Sequence, residues 1–294
     1  MFQFENEIIF KGMPRTRYKN IDVLFDDAKK DTRYWWWAFL RISPDYWFTC
    51  SKSGKVGDKR LRSMYRDFGN VFSTNFEDWW KSYGVNLFAE EISLPAVRVI
   101  DKKQPQFSKG NIKYLILEIP LNLTEATIKN QVLKCVKSAY GREILRITSA
   151  PRPLAKLKGI RKDVLQIAHQ VSQLDYKSRK GKNLLENGIG QIKGSKSLYQ
   201  IGKELRLVKS CMPTTGETAA RSRRKINGMK VAVSRMLNRA KYLAQNAAVG
   251  VFPCSHPLKE PLVWSESKSK AIEDAILNRR FRPLYCDNET LDFF

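Results

Sequence analysis

SLYQIGKELRLV (Ser197–Val208) and KVAVSRMLNRAKYLAQN (Lys230–Asn246) are the two stretches on which the reading of this chain turns. In the first, Ser197 can cap a helix, and Leu198, Ile201 and Leu205 recur at helical spacing to form an apolar stripe. Gly202 on that stripe lets a second helix approach closely. In the second stretch, and just ahead of it, Met229, Val233, Met236, Leu237, Ala240 and Leu243 make a core face. Lys230, Ser234, Arg235, Asn238, Arg239 and Lys241 fall largely elsewhere. Arginine and asparagine pair bidentately with guanine and adenine edges in the major groove, and serine serves base or phosphate. A short positioning helix followed by a helix with such an outer face is the pattern of a helix-turn-helix unit.

The charge distribution points the same way. Residues 121–250 carry 27 Lys and Arg against 7 Asp and Glu, whereas residues 1–120 carry 20 against 15 and residues 251–294 carry 6 against 7. The whole chain has a net charge of +24, so a single segment holds nearly all of the excess. Basic charge concentrated in this way suits a polyanion, and nucleic acid is the commonest one. Arg223 and Arg224 extend the basic surface upstream of Lys230. A Lys- and Gly-rich loop expected over 175–197 adds Lys177, Arg179, Lys180, Lys182, Lys193 and Lys196 as phosphate contacts.

Val233-Ser234-Arg235-Met236-Leu237-Asn238-Arg239-Ala240 resembles the VSR-x-L-x-R-A recognition helix of bacterial helix-turn-helix regulators of the SorC-like group. Ile201-Gly202-Lys203-Glu204-Leu205 is similar to their first helix. The resemblance covers about residues 197–246 and implies that Ser234 and Arg235 face DNA. Leu207 and Val233 stand 26 positions apart, however, whereas a compact unit has a turn of about 3–4 residues. An extra helix over Glu217–Asn227, ending at Gly228, would fill the gap. YWWWAFLR and the stretch from SLYQIG to GVFP also resemble uncharacterised proteins of phages and integrative elements, which implies a mobile-element origin.

The remaining sequence reads as an α+β, predominantly helical chain. Residues 1–140 form an aromatic-rich domain, mainly helical over the first 90 residues, with strands expected at Leu94–Ile100 and Ile112–Ile119. Residues 141–250 form the basic helical domain, and 251–294 add a helix and an acidic tail. Trp35, Trp36 and Trp37 are neighbours about 100° apart on a helix, so one face cannot hold all three. They suit an aromatic core. They could also stack bases or meet a protein partner.

Other chemistry finds less support. The glycines Gly188, Gly190 and Gly194 do not meet the phosphate-loop pattern. The five cysteines form no CxxC pair; Cys254 and His256 could seed a metal site, but no second pair follows at zinc spacing. His169 lacks the arginine three residues on that a tyrosine recombinase would carry. Asp26, Asp27, Asp67, Glu77, Asp78, Glu90, Glu91, Asp101 and Glu118 could build a metal nuclease only by distant assembly. No apolar run reaches the roughly 18–20 residues of a membrane span, and the acidic N-terminus does not resemble a signal peptide. The expectation is a non-enzymatic, cofactor-free DNA-binding protein of the bacterial cytoplasm or nucleoid, serving regulation or element replication and transfer. The alternatives are a metal-dependent nuclease or recombinase accessory, and a single-strand or RNA-binding subunit of a ribonucleoprotein.

Overall fold

A computed structural model describes residues 3–10, 12–90, 117–120, 122–140, 150–155, 160–179, 196–263 and 265–277. Among them the chain is mostly helical, with one small antiparallel hairpin, so the α+β, predominantly helical class holds. The hairpin joins β1 (Gln3–Ile9) to β2 (Arg17–Asn20), with Ile8 opposite Tyr18 and Ile9 opposite Arg17. This part of the chain had read as helical. Its strands are too short and polar to show a period; Tyr18 decides the pairing by burying its ring while its hydroxyl donates to Asp27 at 2.8 Å. The strands expected at 94–100 and 112–119 lie, except for the last three residues, outside the described residues.

Side-chain caps set most helix starts. Asn20 accepts from the backbone of Asp22 and Val23 to open α1 (Ile21–Lys29), and Asp31 caps α2 (Thr32–Arg41). Ser43 caps α3 (Pro44–Ser51), with proline in the first turn where its missing N–H costs nothing. Asp58 caps α4 (Lys59–Phe68), which ends on Gly69 at φ 63°. α5 (Phe76–Trp79) runs through a π-helical turn (Trp80–Gly84) into α6 (Val85–Phe88). α7 (Glu125–Tyr140), α8 (Lys162–Arg179), α9 (Leu198–Glu204), α10 (Ala219–Ala248) and α11 (Glu266–Leu277) complete the order. No described helix is long and apolar enough to cross a membrane.

α2 is the axis of the core. Eight of its ten residues are buried, so it is covered on all sides rather than along one stripe. The three tryptophans accordingly face three different parts of the surrounding structure. Trp36 packs against Phe68, Phe88 and Phe252, and its indole Nε1 donates to the Ala247 carbonyl of α10 at 3.2 Å. Trp37 meets Tyr34, Phe76 and Trp79, with the Arg41 guanidinium 4.4 Å from its ring centre. Trp35, half-buried, lies edge-on to His169 of α8. Trp36 and Trp37 therefore have no open face on which a base could stack, because both are spent on the core.

The core does not respect the borders expected at 140 and 250. Leu165 and Ala168 of α8, Ala240, Leu243, Ala244, Ala247 and Ala248 of α10, then Phe252 and Leu262, share one cluster with the aromatic residues of 10–88. Small alanines at the end of α10 let the helix approach the large rings closely. A second, smaller cluster joins Val171, Ile201 and Val233, where α8, α9 and α10 meet. Two buried ion pairs lie in this body: Arg33 donates to Asp31 at 2.7 Å, and Lys268 of α11 meets Asp45 of α3 at 2.5 Å.

Two measurements check this core. Trp36→Ala removes an indole from the contact between α2 and α10 and lowers the unfolding free energy by about 3–5 kcal/mol, read from the urea midpoint. A loss below about 1 kcal/mol, the level of a surface substitution, contradicts the arrangement. His169 is fully enclosed, and burial, then the Arg41 charge, push its pKa down from 6.5 to about 4. The unfolded chain thus binds a proton between those values that the folded chain refuses, so stability falls as pH drops from 6.5 towards 4, by up to about 3 kcal/mol. His169→Gln removes that part of the pH dependence, measured as the difference between the two proteins' urea midpoints at pH 7 and pH 5.

Candidate nucleic-acid interface

α10 is 30 residues long, about 45 Å, and continuous through Gly228. The separate helix expected over 217–227 does not exist. Gly228 lies on the helix, where a side chain would press on Cys211 Sγ. Thr218 caps the start by accepting from the Arg221 amide, and Gly250 at φ 89° turns the chain just past the end. Eight Lys or Arg and no Asp or Glu occur between Ala219 and Ala248. A helix this basic gains nothing from oppositely charged pairs at i,i+4. Arg221–Lys225 and Arg235–Arg239 instead place like charges on neighbouring turns.

Burial divides α10 along its length. Its last third is embedded in the aromatic core, its middle rests Met229 and Val233 on α8 and α9, and none of its residues 219–228 is buried. Gly202 of α9 is the crossing point. A Cβ there would stand 2.5 Å from Met229 Cγ and 2.9 Å from Val233 Cγ2. The close approach inferred for Gly202 is present, and Ser197 caps α9 in a reciprocal pair with Gln200.

Opposite these contacts, α10 presents one exposed side. Arg223, Arg224, Lys230, Ser234, Arg235, Asn238 and Lys241 are exposed, and Arg239 is half-buried at the edge. Arg223, Lys230, Ser234 and Lys241 follow at spacings of seven, four and seven, which stacks them in a row about 27 Å long. Arg224 and Arg235 form a second row about 100° round the helix. Lys225 is neutralised: its ammonium meets Glu217, which also accepts from Thr214, and these hydrogen bonds hold the Glu217 carboxyl below its usual range. Among the described residues no carboxylate pairs with Arg221, Arg223, Arg224, Lys230, Arg235 or Arg239.

This is not the layout of a compact helix-turn-helix. α9 ends at Glu204 and α10 begins at Ala219, with a short 3₁₀ turn (Lys209–Cys211) on the way. Ser234 lies fifteen residues into α10, about 22 Å from its start, so the VSR triplet occupies the middle of a long helix rather than its leading turn. Asn227 and Val231, exposed beside Ser234 and Arg235, belong to the same face. Asn227 escaped the sequence reading because a helix was ended at Gly228, whereas Val231 lay within the helical stretch but off its core face and carries no charge to mark it.

The other expected sites fare unevenly. α8 runs on to Arg179, so Lys177 and Arg179 belong to its last turn instead of a loop; Tyr176, packed on the core, carries the helix past 174. Lys180, Lys182 and Lys193 lie outside the described residues, and Lys196 pairs with Glu204 at 2.5 Å. Several carboxylates have structural partners: Asp67 binds Arg152 and Arg66, Glu77 binds Lys81, and Asp78 accepts from Asn75. Among the described residues no group of three His, Cys, Asp or Glu side chains could hold a metal, and the His256 carbonyl is used by Asn246. No protein-family model, no curated protein and no solved structure matches this chain, so the physical character of α10 is the ground on which its function is read.

Proposed function

We propose that the exposed face of α10 binds nucleic acid, with duplex DNA as its ligand, and that the chain acts as a non-catalytic DNA-binding component of a bacterial mobile element. One observation carries the proposal: a 30-residue helix, anchored at one end and along one side, that bears eight basic residues and no acidic one. Helices exposed only to water ordinarily mix both signs, because paired charges at i,i+4 support them. Here the support is absent, and a polyanion would supply it from outside. The row Arg223–Lys230–Lys241 has the reach to meet several phosphates along a groove, while Ser234, Arg235 and Asn238 carry the donors and acceptors that read base edges. Three arginines near the start of the helix face its positive dipole end, an arrangement that an anion relieves.

Salt titration of duplex binding tests this directly. Neutralising about six phosphates gives a log–log slope near −5, so affinity falls at least about a thousandfold between 50 and 200 mM salt. Arg223→Ala and Lys230→Ala each weaken binding across all sequences and reduce the slope by about one. Single-stranded DNA and RNA of equal length serve as comparators. Absence of duplex binding at low salt, or slopes unchanged in both variants, overturns the proposal.

A further inference from the structure

Val231 is a large aliphatic residue that α10 leaves in solvent, with half of its surface accessible. It stands nine residues from Ala240 and so on the opposite side of the helix, about 180° from the line of core contacts. Its neighbours one turn away are Asn227, Ser234 and Arg235, and Asn238 lies two turns on; all four are exposed. Gly228, three residues back, contributes no bulk. Valine contributes little here to the protein alone: β-branching lowers helix propensity, and no burial compensates. The apex of the face is therefore an apolar tip ringed by amide, hydroxyl and guanidinium groups. The long basic row runs along one flank.

This arrangement matches the major groove of B-form DNA, about 12 Å wide, which admits an α-helix and displays the thymine 5-methyl group beside hydrogen-bonding edges. The deep, narrow major groove of A-form RNA admits no helix, and uracil lacks the methyl group. We infer that the middle of α10 enters the major groove of duplex DNA and that Val231 reads a thymine methyl group, making it a specificity-determining contact. The inference rests on the proposed DNA-binding role and adds the groove and the base.

The test uses the full-length chain. Duplexes are selected from a random library, and the bound sequences are resynthesised with deoxyuridine in place of thymidine. Losing one buried methyl contact weakens wild-type binding about fourfold, and Val231→Ala, which favours the helix and leaves the core intact, brings the thymine-to-uracil ratio close to one. Equal affinity of the wild-type protein for both duplexes, a ratio unchanged in Val231→Ala, or tighter binding to RNA of the same sequence overturns the inference while leaving nucleic-acid binding in place. Failure to bind any duplex at low salt removes the underlying role and this inference together.

Discussion

The contact between α2 and the end of α10 is the constraint on which the rest of the structure depends. Trp36 fills the space between Phe68, Phe88 and Phe252 and donates to the carbonyl of Ala247. That carbonyl belongs to the last turn of α10, where backbone acceptors lack partners within the helix. One indole thus fills the core and adds a second donor to a helix-end carbonyl that also accepts from the Gly250 amide at 3.2 Å. With its last third fixed this way, α10 is presented as a rigid rod, and α9 and α8 brace its middle through Gly202 and Val171. A basic helix without acidic partners would be a poor free-standing element. The alanine-rich end pressed on large rings supplies the stability that its charged part does not.

That division assigns different work to the two ends of a single helix. Charge is absent where α10 is buried, since its last basic residue is Lys241. Apolar residues are nearly absent where it is exposed, Val231 excepted. Lys225, which lies against the 205–218 connection, is matched by Glu217 and the Met212 carbonyl. Charges that must pack are thus compensated locally, and the uncompensated ones stand on the open side. Any folded core excludes charge in this way; the feature that a polyanion-binding surface would account for is the absence of acidic residues along the exposed part of the helix.

Much of this was legible in the sequence. The cap at Ser197 and the packing role of Gly202 follow from local chemistry, and local chemistry survived tertiary context. The buried and exposed sides of α10 follow from its 3.6-residue period. What failed was punctuation. Gly228 read as a helix stop, yet glycine inside a helix costs only about 1 kcal/mol, and packing of both flanking segments outweighs that. The likeness of Val233–Ala240 to a recognition helix is a property of eight residues and says nothing about the helix that contains them. The shared core was hidden for another reason. Ala240, Ala244 and Ala247 are weak hydrophobic signals, and only the rings brought against them from residues 36–88 reveal them as interior.

Lysine reactivity tests the central claim most directly, because it locates the ligand on the folded chain. Lys59, Lys81, Lys230 and Lys241 are all exposed. With saturating duplex DNA at low salt, acetylation of Lys230 and Lys241 should slow strongly, while Lys59 and Lys81 keep their rates. Protection confined to Lys59 and Lys81, or unchanged rates at Lys230 and Lys241 in a bound complex, would contradict the assignment of α10 as the nucleic-acid surface.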